Sequence, residues 1–246
     1  MSPLADLRSL SFPLKGLLSA YLLTIGICYL IAVLYLFLLE VGPHQKLSVS
    51  ILQSTIHKYY GNRGTSRIEA MLRGEMAEYA TDSEKKDIPE WVDEGAPEDG
   101  YPKVKTIIDR DCIKCHSLSS GLRIPALTTY EEVKRVVGTD LGESIKKLAR
   151  VSHIHLFGIS FIFLTTGLIF SLSTMNAYLK FASVTVPFLA IWLDIGSWWL
   201  TKYKPVYAHV VIIGGLLMGL SLAIQICFSL YEMWLKDDRL GSNSCG

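Results

Sequence analysis

The chain has 246 residues, half of them hydrophobic, and its 24 Lys and Arg against 23 Asp and Glu leave a formal net charge of +1. A chain this neutral carries no electrostatic footprint for nucleic acid, which is set aside as a partner, and none for bulk attraction to an anionic surface. Its apolar residues are gathered into long runs, so the partner it demands is a lipid bilayer.

The first run covers residues 16–39 and is long enough to cross the hydrocarbon layer as a helix. It is too long for a removable leader, lacks a small-residue cleavage site, and is followed directly by Glu40-Val41-Gly42-Pro43-His44, so it is expected to stay as an anchor over residues 1–40. Residues 41–150 then hold 17 of the 24 basic and 17 of the 23 acidic residues and read as a soluble domain. Within it, helices are expected over 47–60 and 66–80, the second opened by a Ser66/Glu69 capping box and carrying an apolar stripe of Ile68, Met71, Leu72 and Met76. Gly61-Asn62-Arg63-Gly64 is the turn between them. Residues 81–102 are acidic and punctuated by Pro89, Gly95, Pro97 and Gly100, which predicts a surface loop. An apolar lead-in over 104–110 and a short helix over 129–137 complete the domain.

Three further runs, 151–178, 181–200 and 206–231, predict a three-helix membrane domain over 151–235, followed by a tail over 236–246. Asp194 is the one acid or base in all four runs. The fold class is therefore all-α, with four transmembrane helices, almost no strand, and a mostly helical and irregular domain inserted between helices one and two.

Cys112-Ile113-Lys114-Cys115-His116 is the stretch that names a chemistry. Two cysteines three apart with a histidine directly after the second read as covalent attachment of a c-type haem, each sulfur clamping a porphyrin vinyl group and the imidazole taking an axial position on iron. Half of a zinc site would need a second pair at ligand spacing, and Cys28, Cys227 and Cys245 do not supply one. A thioredoxin-like redox pair would open a helix after a strand, a context this polar stretch lacks.

Residues 104–137, with the apolar lead-in, the five-residue motif and Leu127-Thr128-Thr129-Tyr130-Glu131-Glu132-Val133, resemble a small monohaem cytochrome c domain of the kind fused to membrane segments in bacterial respiratory proteins. The resemblance covers about 35 of the 246 residues. It implies one covalent haem c held by Cys112, Cys115 and His116. It also implies assembly on the outer, oxidising face of a bacterial inner membrane, with residues 41–150 periplasmic and both termini inside. Charge gives only weak sidedness, with Arg8, Lys15, Lys180, Lys236 and Arg239 inside and Lys202 and Lys204 outside. Ordinary members take their sixth iron ligand from a methionine after the motif, yet this chain has none between His116 and Met175. The sixth-ligand candidates are Met71, Met76, His57, His44 and, from the membrane boundary, His153.

A second signal lies at the outer ends of the later spans, where His153, His155, Asp194 and His209 share one layer with Trp192, Trp198, Trp199, Tyr203 and Tyr207. The aromatics fit an interfacial belt. For the ionisable groups three readings stay open: histidines from spans two and four holding a b-type haem; Asp194 with histidines accepting protons from a quinol; or interfacial side chains satisfying one another. Gly214, Gly215 and Gly219, with Gly158 and Gly167, provide small faces for helix packing.

The function expected is a membrane-bound c-type cytochrome. It would pass single electrons from a membrane donor, a quinol or a partner subunit, to a periplasmic acceptor. One haem takes one electron where a quinol releases two, so other subunits of a complex are implied and catalysis by the chain alone is not expected. A haem-containing structural or assembly subunit and a haem-based gas or redox sensor are the alternatives.

Overall fold

The computed structural model describes residues 6–41, 47–74, 76–122 and 124–236; His44, Arg239 and Cys245 lie outside them. Helices account for the regular structure, and among the described residues the only β pairing is an isolated bridge between Ser66 and Thr139. The chain divides into two units, residues 1–56 with 144–246, and residues 57–143.

The first unit is built on four apolar helices, α1 (Phe12–Val41), α7 (Ile145–Ser171), α8 (Ala177–Thr201) and α9 (Ala208–Trp234), each long enough and apolar enough to cross a membrane. At 1.5 Å per residue even the 25-residue α8 reaches roughly 37 Å, more than the hydrocarbon layer needs. Helix α7 begins six residues before its apolar run, because Ser144 accepts a hydrogen bond from Lys147 N and caps it there. Lys146, Lys147 and Arg150 therefore belong to the membrane helix rather than to the soluble segment.

Close approach of α8 and α9 depends on Gly214, where a methyl group would come within 2.8 Å of Asp194 Cβ. Small residues at such crossings let backbones pack without a side chain between them. Of the other predicted small faces, Gly167 meets Val184, Gly219 lies under the Tyr29 hydroxyl of α1, and Gly158 and Gly215 are open. Helix α1 is tied in by a hydrogen bond between Tyr21 and Thr165, by Trp234 Nε1 donating to Ser19 Oγ at 2.8 Å, and by a cluster of Leu7, Leu22, Ile169 and Met233. The rest of its surface, including Leu23, Ile27, Leu30 and Leu34, is exposed, as suits a lipid-facing helix.

Two polar knots hold this unit. Pro187 has no N–H, so the Ser183 carbonyl four residues earlier loses its helical donor. Buried Gln225 of α9 donates Nε2–H to that carbonyl at 2.7 Å, and its Oε1 accepts from Thr166 of α7, linking three helices through one amide. At the far end of α9, buried Glu232 accepts from Thr174 N at 2.8 Å, from the Thr174 hydroxyl and from Lys236 Nζ at 2.9 Å, closing the α7–α8 loop.

Helix α2 (Leu47–Tyr59) belongs to the first unit up to residue 56, and its last turn leads into the second unit at a turn where Gly61 and Gly142, both at positive φ, pack against each other's backbone. Asp140 fixes this crossing by accepting from Asn62 N at 2.8 Å and Gly142 N at 2.9 Å. Helix α3 (Arg67–Arg73) starts at Ser66, which accepts from Glu69 N as the capping pattern requires, but it stops at Gly74 rather than running to residue 80. A helix replaces the loop expected over 81–102: α4 (Glu84–Asp93) buries Ile88, Pro89 and Trp91. An internal proline costs about 3 kcal/mol, yet burying three such side chains returns roughly 1.5–3 kcal/mol each, so packing wins over punctuation. Helix α5 (Tyr101–Ile107) and α6 (Tyr130–Lys134) complete the core with Val104, Ile107, Ile108, Leu127 and Val133. A capping box between Thr129 and Glu132 opens α6.

Candidate functional site: the Cys112–His116 segment

Helix α5 runs into a single π-type turn over Ile108–Cys112, closed by Ile113 N donating to Ile108 O at 3.0 Å. Such widened turns recur at functional sites because they shift the phase of the side chains that follow. Here the turn leaves Cys112 half-buried against the core, while Cys115 N and His116 N both bond back to Cys112 O, so the motif itself is one more helical turn. Both thiols are free, and Cys115 is exposed. Burial, with the carboxylates of Glu84 and Asp111 nearby, pushes the Cys112 thiol up to about 11. Arg110 spans those two acids, reaching buried Glu84 at 2.7 Å and Asp111 at 2.6 Å.

His116 is held from the side that a metal ligand requires. Its Nδ1 lies 2.7 Å from the Pro125 carbonyl, and since a carbonyl can only accept, Nδ1 carries the proton and Nε2 keeps its lone pair. Leu127 N donates to His116 O at 2.9 Å, so the loop of residues 116–127 is pinned at both ends to the histidine. That loop exposes Leu118 (87%), Leu122 (54%) and Ile124 (42%), an uncovered apolar surface. Two thiols three residues apart, an imidazole with Nε2 available and an adjacent uncovered apolar loop are the donor set and surroundings a covalently held haem fits. Among the sixth-ligand candidates in this unit, Met71 and Met76 are half-buried and His57 is exposed.

In the membrane unit the layer of ionisable residues separates into two kinds. Asp194 is buried and accepts from Trp198 Nε1 at 3.2 Å. His153, His155 and His209 are exposed. His155 donates Nδ1–H to Val151 O and presents its ring edge-on to Trp198, centroids 5.3 Å apart, while His209 donates to Val206 O and His153 sits against Phe157. Asp194, Trp198 and His155 thus come together, but no group of three or more metal-ligating side chains forms among the described residues. Gln225 and Glu232 escaped the sequence reading. Pro187 could have flagged the first, through the carbonyl it orphans, whereas the second lies one residue past the end of its apolar run.

Residues 141–240 are similar to a family described as a transmembrane helical domain, Aq_1264_TM. No curated protein and no solved structure matches the chain.

Proposed function

We propose that this protein is a membrane-anchored c-type cytochrome that passes single electrons from a donor in the bilayer to an acceptor on the outer face of a bacterial inner membrane. The observation that carries the reading is His116, protonated on Nδ1 by its bond to Pro125 and open at Nε2, beside free Cys112 and Cys115. Cys112 and Cys115 would hold the group through thioether bonds, each formed by addition of an S–H, which needs no external oxidant. A haem held there supplies reversible one-electron chemistry. The chain's own part would be to tether the group by two sulfurs, to orient His116 through Pro125 and Leu127, and to offer it the exposed apolar side chains Leu118, Leu122 and Ile124. On the donor side, Asp194 would accept a proton from a quinol, a reading supported by its being the one buried ionisable side chain beside the exposed His153, His155 and His209. Other subunits would provide the second electron's route.

The test is haem staining after denaturing electrophoresis of protein made in a host that matures c-type cytochromes. Wild type should stain, and Cys112→Ala with Cys115→Ala should not. An unstained wild-type band, or staining that survives the double substitution, would overturn the proposal. Reduced-minus-oxidised spectra of the same sample report whether a b-type haem is also present.

A further inference from the structure

We infer that the end of the membrane unit where α7 begins is a binding collar for anionic phospholipid headgroups. Whole-chain neutrality hides this feature; the packing of α7 on α8 reveals it. Trp199 Nε1 donates to Ser152 Oγ at 3.0 Å, which fixes the level at which the two helices meet. Within two turns farther out stand Lys146, Lys147 and Arg150 on α7 and Lys202 and Lys204 after α8, so five basic residues gather at one end of the bundle. Lys146, Arg150 and Lys204 are exposed. Asp194 is buried on α8, and Glu143 directly precedes the Ser144 cap of α7.

The aromatic residues choose the occupant. Trp192 (71%) and Tyr203 (69%) are exposed beside half-buried Trp199, and amphipathic rings of this kind settle at headgroup depth. Long basic side chains at helix ends reach outward along apolar surface and bring their charges to the phosphate plane. These charges stand on α7 and just after α8, at helix ends next to the aromatic layer, where headgroup phosphates lie. If the Cys112–His116 segment lies on the outer face as proposed, this cluster also stands on the side that insertion normally depletes of Lys and Arg, so topology does not account for it. That last point rests on the proposed orientation, whereas the geometry does not.

The experiment uses the full chain in neutral detergent, offered phosphatidylglycerol or phosphatidylcholine, with retained lipid read by native mass spectrometry and thermal midpoints followed in parallel. Wild type should retain phosphatidylglycerol preferentially and gain thermal stability from it alone. Each basic side chain near a charged surface is worth about fivefold in binding, so Lys146→Gln, Arg150→Gln and Lys204→Gln together should reduce that preference by roughly a hundredfold. Equal retention of both lipids by the wild type, which needs no variant to fold, would overturn the inference, as would a correctly folded variant with undiminished preference. Labelling Lys204→Cys with an impermeant maleimide from each side of the membrane keeps the two proposals apart. Reaction from the cytoplasm alone would overturn the electron carrier's orientation and leave the lipid preference standing.

Discussion

Cys112 and Cys115 differ in environment although they belong to one motif. Cys112 is half-buried against Ile108 and its neighbours, and two carboxylates stand near it; Cys115 faces solvent. For a thiol, a raised pKa means that the reactive thiolate appears only as pH climbs. In apoprotein at pH 8, Cys112 should therefore alkylate roughly a hundredfold more slowly than an ordinary cysteine, given a displacement of about two pH units from 9.0, and recover speed only as pH nears 11. Peptide mapping after a timed pulse of iodoacetamide checks this, and equal labelling of the two sites at pH 8 would refute it. Asp194 is the second residue with a defined consequence. Asp194→Asn keeps the volume beside Gly214 and a partner for Trp198 but removes the carboxylate proposed to accept the quinol's proton. Reduction of the haem by a quinol analogue should slow at least tenfold while reduction by dithionite stays unchanged, and equal quinol rates would return Asp194 to a packing role.

Between elements, the most informative contact is the Gln225 amide, because its need arises from another helix's proline. Gln225→Leu strands the Ser183 carbonyl, leaves the Thr166 hydroxyl only its bond to Ile162 O, and should cost about 1 kcal/mol, the scale of polar contacts between membrane helices. Pro187→Ala restores the N–H that the carbonyl lost. In that background the Gln225→Leu penalty should shrink, and a double-mutant cycle in mild denaturing detergent measures the difference. Additive penalties would mean that the proline and the glutamine are unrelated. The same scale explains two departures from the sequence reading in the soluble unit. Punctuation by Pro89 suggested a loop over 81–102, but Ile88 and Trp91 find a hydrophobic core to enter, which local composition does not disclose. The helix expected over 66–80 kept its start, written in the Ser66 cap, and lost its second half at Gly74.

For the molecule as a whole, two units with separate cores imply separable stability. Residues 57–143, expressed without the membrane helices, should give a helical spectrum and one cooperative thermal transition, since Ile88, Trp91, Val104, Ile108 and Val133 are all buried within that segment. A featureless melt would show that this core needs the membrane unit to form. Sequence alone determined the four spans and the all-helical class, and it singled out Cys112–His116, because hydrophobic run length and cysteine spacing are local properties written along the chain. Only tertiary structure decided which nitrogen of His116 is left open, since that depends on a carbonyl nine residues away folding back onto the ring. It likewise separated Asp194, turned inward against Gly214, from three histidines of similar depth that face outward, and gathered the Lys146 and Lys204 turns at one end. Rotation about a helix axis and the level at which helices cross are set by packing against neighbours, and a run of apolar letters specifies neither.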